Sequence, residues 1–164
     1  MQAAPWYYNL ISAGGLIAIC FLAWLTGRNR RLAYTEMLPD EKATSATCFL
    51  IWASNWLKWH GFKVKRVMTD NGSCYRSHLF RTAVQSLGAR HVRTRPYTPR
   101  TNGKAERFIQ TSVKEWAYRQ AYETSEERTQ QLRPWTDFYN QQRPHTALKY
   151  QPPISRLENY EQRP

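Results

Sequence analysis

The sequence predicts an α/β fold, a mixed sheet flanked by helices, and three observations predict it. Apolar residues recur at three- and four-residue steps between Asp40 and Gly61, and again between Leu79 and Leu87. Short runs with strand character lie ahead of Asp70 and after Gly88. Gly61 and Gly88 stand where the two helical patterns stop, as helix-ending glycines do.

The first helix has Ala46, Phe49, Leu50, Ala53, Trp56 and Leu57 as its apolar stripe. Phe62 to Thr69 follows as a strand that delivers Asp70 to its end, where Asn71 and Gly72 form a turn pair. A second helix carries Leu79, Phe80, Ala83, Val84 and Leu87, and Arg90 to Thr94 then alternates as a short, polar strand. Past a loop punctuated by Pro96 and Pro99, a helix starts near Asn102 with Ala105, Phe108, Ser112 and Trp116 on one stripe. Glu106 falls on its flank, from which it could face the strand ends. Thr124-Ser125-Glu126-Glu127 reads as a capping box opening another helix, with Leu132, Trp135, Phe138 and Tyr139 on its buried side. Pro134 is expected to kink or interrupt that helix.

At 164 residues the chain has room for one ordinary domain. Its 24 Lys and Arg against 12 Asp and Glu give a net charge of +12, which suits a polyanionic partner. Cys20, Cys48 and Cys74 are odd in number and widely spaced, so they spell neither a disulfide framework nor a zinc pattern, and a reducing cytoplasm fits. His60, His78, His91 and His145 also lack paired metal-ligand spacing. The organisation expected is an apolar N-terminal segment over 1–30, a core over 31–157 and a tail over 158–164.

Residues Met1 to Gly27 carry no charge, and residues 10–26 are nearly continuous in apolar character, followed by Arg28, Arg30 and Arg31. One reading is a membrane helix anchoring a basic cytoplasmic domain, since a spanning helix needs about 20 such residues. Another is a hairpin turning at Gly14-Gly15, with Tyr7 to Ile11 and Leu16 to Leu25 as its strands. A third is a non-native, frameshift-derived extension that is apolar by accident.

Four stretches combine into a pattern more specific than any one of them. They are Val67-Met68-Thr69-Asp70-Asn71-Gly72-Ser73, Pro96 through Phe108, Arg31 through Lys42, and Phe138 through His145 with Pro152-Pro153. Together they resemble bacterial insertion-sequence transposases with a retroviral-type integrase core. The resemblance implies an incomplete ribonuclease H-like core in which the first strand, normally central, and the second are missing, a loss that splits the sheet and leaves buried backbone groups without partners. It implies that Asp70 and Glu106 correspond to the second and third acids of an Asp, Asp, Glu triad, as catalytic residues and as ligands for Mg2+ or Mn2+. DNA, both transposon ends and target, is the partner implied, with a homo-oligomer or an intact transposase copy as a further one.

The first acid of that triad has no counterpart. No Asp or Glu occurs from Met1 to Thr35, and Glu36 lies in the stretch that resembles the third strand. Two-metal chemistry places its ions about 3.5 to 4 Å apart, so loss of a bridging carboxylate weakens both sites together. Asp40 and Glu41 are expected at a helix start, where carboxylates meet free backbone N–H groups. The expectation is therefore a catalytically impaired core with weak metal binding, or a non-catalytic DNA-binding or oligomerising remnant. Asn102, Lys104, Arg107, Arg100 and Arg143 are the candidate DNA contacts, a plain surface turn being the competing reading for Asn102 to Arg107. Asn140, Arg143, Pro144 and His145 read as a structural turn closing the core, with phosphate contact by Arg143 as the alternative.

Overall fold

The computed structural model describes residues 16–21, 32–93 and 103–155. Strand β1 (Leu16–Phe21) pairs antiparallel with β2 (Ala33–Leu38), with Leu16 opposite Leu38 and Phe21 opposite Ala33. Helix α1 (Ala43–Trp59) follows, then β3 (Arg66–Thr69), the single turn α2 (Ser73–Arg76), α3 (His78–Ser86) and β4 (Arg90–Arg93). Strands β3 and β4 run parallel, with Arg66 opposite Arg90 and Thr69 opposite Arg93. Among the described residues the sheet is therefore in two separate pairs, β1 with β2 and β3 with β4.

The apolar N-terminal run departs from the spanning-helix reading at its middle. Leu16–Phe21 is a strand, and no helix among the described residues is long and apolar enough to cross a membrane. The hairpin reading also changes: β1 takes β2 as its antiparallel partner, while Tyr7 to Ile11 lie outside the described residues. Ile17, Ile19 and Phe21 are of types that favour strands.

Helix α1 buries Ala46, Leu50, Ala53 and Leu57 along one stripe. Asp40 lies just ahead of it, its Oδ1 accepting from Lys42 N–H at 3.0 Å and from the Ser45 hydroxyl at 2.6 Å. Those bonds hold the Asp40 pKa below its ordinary value, the Ser45 bond contributing most. The strand expected over Phe62 to Thr69 is shorter than its apolar character suggested. Phe62 and Val64 are buried against Leu32 and Leu57, but pairing begins only where Arg90 N–H reaches Lys65 O at 3.0 Å. Gly88, at φ +64°, ends α3 in the left-handed region and turns the chain into β4.

Beyond residue 102, α4 (Gly103–Ser112) runs into a π-helical turn, Val113–Ala117. Then come α5 (Ser125–Gln130) and α6 (Leu132–Gln141). Thr124 caps α5 as predicted, its hydroxyl accepting from Glu127 N–H at 3.1 Å, while Glu127 reaches back to Glu123 N–H at 2.9 Å. The break between α5 and α6 falls at Gln131, so that Pro134 sits in the first turn of α6, where a missing N–H costs nothing. The buried stripe of α6 is Leu132, Trp135, Thr136, Tyr139 and Asn140, and Phe138, expected on the buried side, is 43% exposed.

Among the described residues the core falls into three groups. Ala33, Phe108, Trp116, Ala117, Leu132, Trp135 and Tyr139 pack together around β2, α4 and α6. Ala46, Leu50, Phe80 and Val84 pack between α1 and α3. Val67 of β3 touches that group and the Leu57-Phe62-Val64 group alike, so the strand that ends at Asp70 is anchored on both.

Candidate active site and the residues that support it

Asp70 stands one residue past the end of β3, exposed, at the C-terminal ends of a parallel strand pair. In open α/β sheets, ligand sites gather at that end. Its Oδ1 accepts from Gly72 N–H at 2.8 Å, an Asx-type turn that aims the carboxylate outward. A Cβ on Gly72 would lie 3.0 Å from that same oxygen and 3.3 Å from the Tyr75 ring, so the turn has little room for a side chain there.

Behind the carboxylate, the Thr69 hydroxyl donates to Asp70 O at 3.0 Å and meets His91 Nε2 at 2.9 Å. His91 is half-buried and its ring lies 5.4 Å from that of Phe80, which in turn is edge-on to Tyr75 at 5.2 Å. Burial lowers the His91 pKa from its ordinary value of 6.5, and the Arg93 and Arg81 charges lower it further. Neither Thr69 nor His91 was singled out by the sequence pattern. A histidine in a short alternating strand carries no sign of which hydroxyl it faces.

The backbone of Glu106 lies in α4, three residues after its first residue. Its side chain and that of Lys104 lie outside the described residues, as do Arg100 and Asn102 altogether. Arg107 is exposed. Arg143 is engaged within the fold: its Nε and Nη2 donate to Glu115 Oε2 and Oε1 at 2.8 and 2.6 Å, and its guanidinium lies 5.7 Å from the Tyr139 ring centroid. That fork holds the Arg143 pKa above its ordinary value, the Glu115 hydrogen bond being the main cause.

The other early acids have partners of their own. Glu36 Oε1 accepts from the Tyr34 hydroxyl at 2.5 Å on β2, and Asp40 is occupied at the entry to α1. Carboxylate oxygens are the right donors for Mg2+ or Mn2+. Among the described residues, however, no three His, Cys, Asp or Glu side chains come together as a metal-binding group. A single carboxylate does not make a two-metal centre.

Residues 87–153 match the integrase core domain family. The transposase InsD of insertion element IS2 from Escherichia coli is 33% identical over 86 residues, which is 52% of this chain and 29% of that protein. An uncharacterized protein of Caenorhabditis elegans is 31% identical over 108 residues, 66% of this chain and 8% of that protein. The chain thus spans well under half the length of the curated relatives it matches. Among solved structures, the catalytic core domain of BIV integrase superposes with a TM-score of 0.59 at 21% identity, covering 79% of this chain and 80% of that one. The simian T-cell lymphotropic virus intasome in complex with the PP2A regulatory subunit B56 gamma gives 0.66 at 20% identity, covering 82% of this chain and 46% of that one. The chain is similar over about half of its length to insertion-sequence transposases and has the ribonuclease H-like fold of retroviral-type integrase catalytic cores.

Proposed function

We propose that this chain binds DNA through an integrase-type core whose acidic centre is incomplete, so that it occupies DNA without cutting or joining it. Asp70 and Glu106 are the two surviving acids of that centre and the ligands for whatever divalent metal it retains. The observation that carries the reading is the Asp70 turn: a carboxylate presented outward at the end of a parallel strand pair, in a chain with no acid before Glu36. The engagement of Glu36 with Tyr34, and of Asp40 with Ser45, supports the view that neither replaces the missing ligand. A net charge of +12 supports DNA as the partner. Asn102, Lys104, Arg107 and Arg100 are the proposed phosphate contacts, and Arg143 is a weaker candidate because Glu115 already holds its fork.

Gel-shift titration of the purified chain with duplex DNA tests the binding half. Affinity is expected to fall at least about tenfold between 50 and 200 mM salt, as counterion release requires for several phosphate contacts. Affinity that is absent, or indifferent to salt, overturns it.

A second reading, an oligomerising remnant that acts on an intact copy, is favoured by one observation. Ile51, Trp52 and Trp59 on α1 are 42%, 49% and 81% exposed, an apolar outer face at helical spacing. Sedimentation of the chain and of a Trp52→Glu, Trp59→Glu variant separates the readings. A wild-type chain that stays monomeric at high concentration removes this one.

A further inference from the structure

We propose that His91 is a positioning residue for Asp70, acting through the Thr69 hydroxyl to fix the turn that presents the carboxylate. The inference rests on the reading of Asp70 as a retained metal ligand of the incomplete centre. Thr69 has a single hydroxyl proton, and Asp70 O receives it at 3.0 Å. The 2.9 Å contact with His91 Nε2 therefore has the imidazole N–H donating and the hydroxyl oxygen accepting, which fixes the tautomer with its proton on Nε2.

The imidazole is itself held in place. Its ring packs on Phe80, which is 2% exposed, and Phe80 is edge-on to Tyr75. Tyr75 in turn borders Gly72, whose N–H donates to Asp70 Oδ1. Contacts thus run from the Asp70 carbonyl through Thr69, His91, Phe80, Tyr75 and Gly72 back to the Asp70 carboxylate. A closed circuit of this kind constrains both ends of one residue. Acidic ligands that must hold a geometry depend on such outer partners.

Amide hydrogen exchange of the full chain by NMR tests the role with no metal present. His91→Leu keeps an apolar body against Phe80 but removes the donor, and Thr69→Val removes the relay. Each is expected to raise the Gly72 exchange rate about tenfold, and the double variant no further, because both break one chain of contacts. His91→Gln, whose amide can donate to Thr69, is expected to return Gly72 to within about threefold of wild type, a rescue that loss of packing alone does not give. Unchanged Gly72 exchange in both single variants overturns the role. So does an equal rise across α3 and β4, or failure of the glutamine to rescue. Mn2+ line broadening centred on Asp70 in wild type, lost in Asp70→Asn, reads the underlying assignment separately. Its absence from wild type overturns the reading of Asp70 as a ligand, independently of what Gly72 does.

Discussion

Asn140 and Ala33, 107 residues apart, exchange two hydrogen bonds: Ala33 N–H donates to Asn140 Oδ1 at 2.9 Å, and Asn140 Nδ2 donates to Ala33 O at 2.8 Å. A side-chain amide here does what a neighbouring strand does, satisfying both backbone groups of a β2 residue that is fully buried. The same two elements meet again through the Thr35 and Thr136 hydroxyls at 2.6 Å. Asn140→Leu keeps the volume but leaves the Ala33 N–H and C=O unpaired in the core. A loss of about 2 to 4 kcal/mol is expected in urea unfolding, with the slope unchanged. A midpoint shift too small to measure would show that β2 does not depend on α6.

Arg143 ties the end of α6 to the π-helical turn through its fork on Glu115. Both side chains are about a third exposed or less, so solvent screens the pair in part. Arg143→Lys keeps the charge and loses the bidentate geometry, and is expected to cost about 1 kcal/mol in the same experiment. If Arg143→Lys instead leaves stability intact and weakens DNA binding, the guanidinium works at phosphate and the tie to Glu115 is incidental.

His91 makes stability depend on pH in a defined direction. Its folded pKa lies below the ordinary 6.5, because burial and then Arg93 and Arg81 oppose its charge. The unfolded chain therefore binds more protons in the interval below that ordinary value, and stability falls as pH drops through it. Thermal midpoints measured downward from pH 7 are expected to decline, with the decline shallower in His91→Gln. Superposable pH profiles for the two proteins would refute this.

Much of the layout is legible in the residues, and its errors have physical sources. The α1 stripe and the turns at Gly61 and Gly88 follow from spacing and from the left-handed backbone that glycine tolerates. Phe138 was placed on the buried side for its apolar character, but within α6 it stands roughly 120° around the helix from the face of Leu132, Trp135, Thr136, Tyr139 and Asn140. Asn140 and Thr136 share that buried stripe with apolar neighbours, and polarity concealed them from a search for hydrophobic periodicity. The apolar run ahead of Gly27 held no periodic signal able to separate strand from helix; for Leu16–Phe21, tertiary pairing with β2 decides it. Asp70 stood out because strand end and Asn-Gly turn are both local features. His91 did not, because its partner lies on another strand, at a register no local pattern encodes.

A joining assay bears most directly on the incomplete centre. Purified chain, labelled donor ends, target DNA and Mg2+ or Mn2+ are incubated under low-salt conditions that favour binding. The expected result is DNA bound and no joined or nicked product above background, identical for wild type and Asp70→Asn. Joined product from wild type that disappears in Asp70→Asn would contradict it, because a full set of metal-holding carboxylates would then exist in this chain.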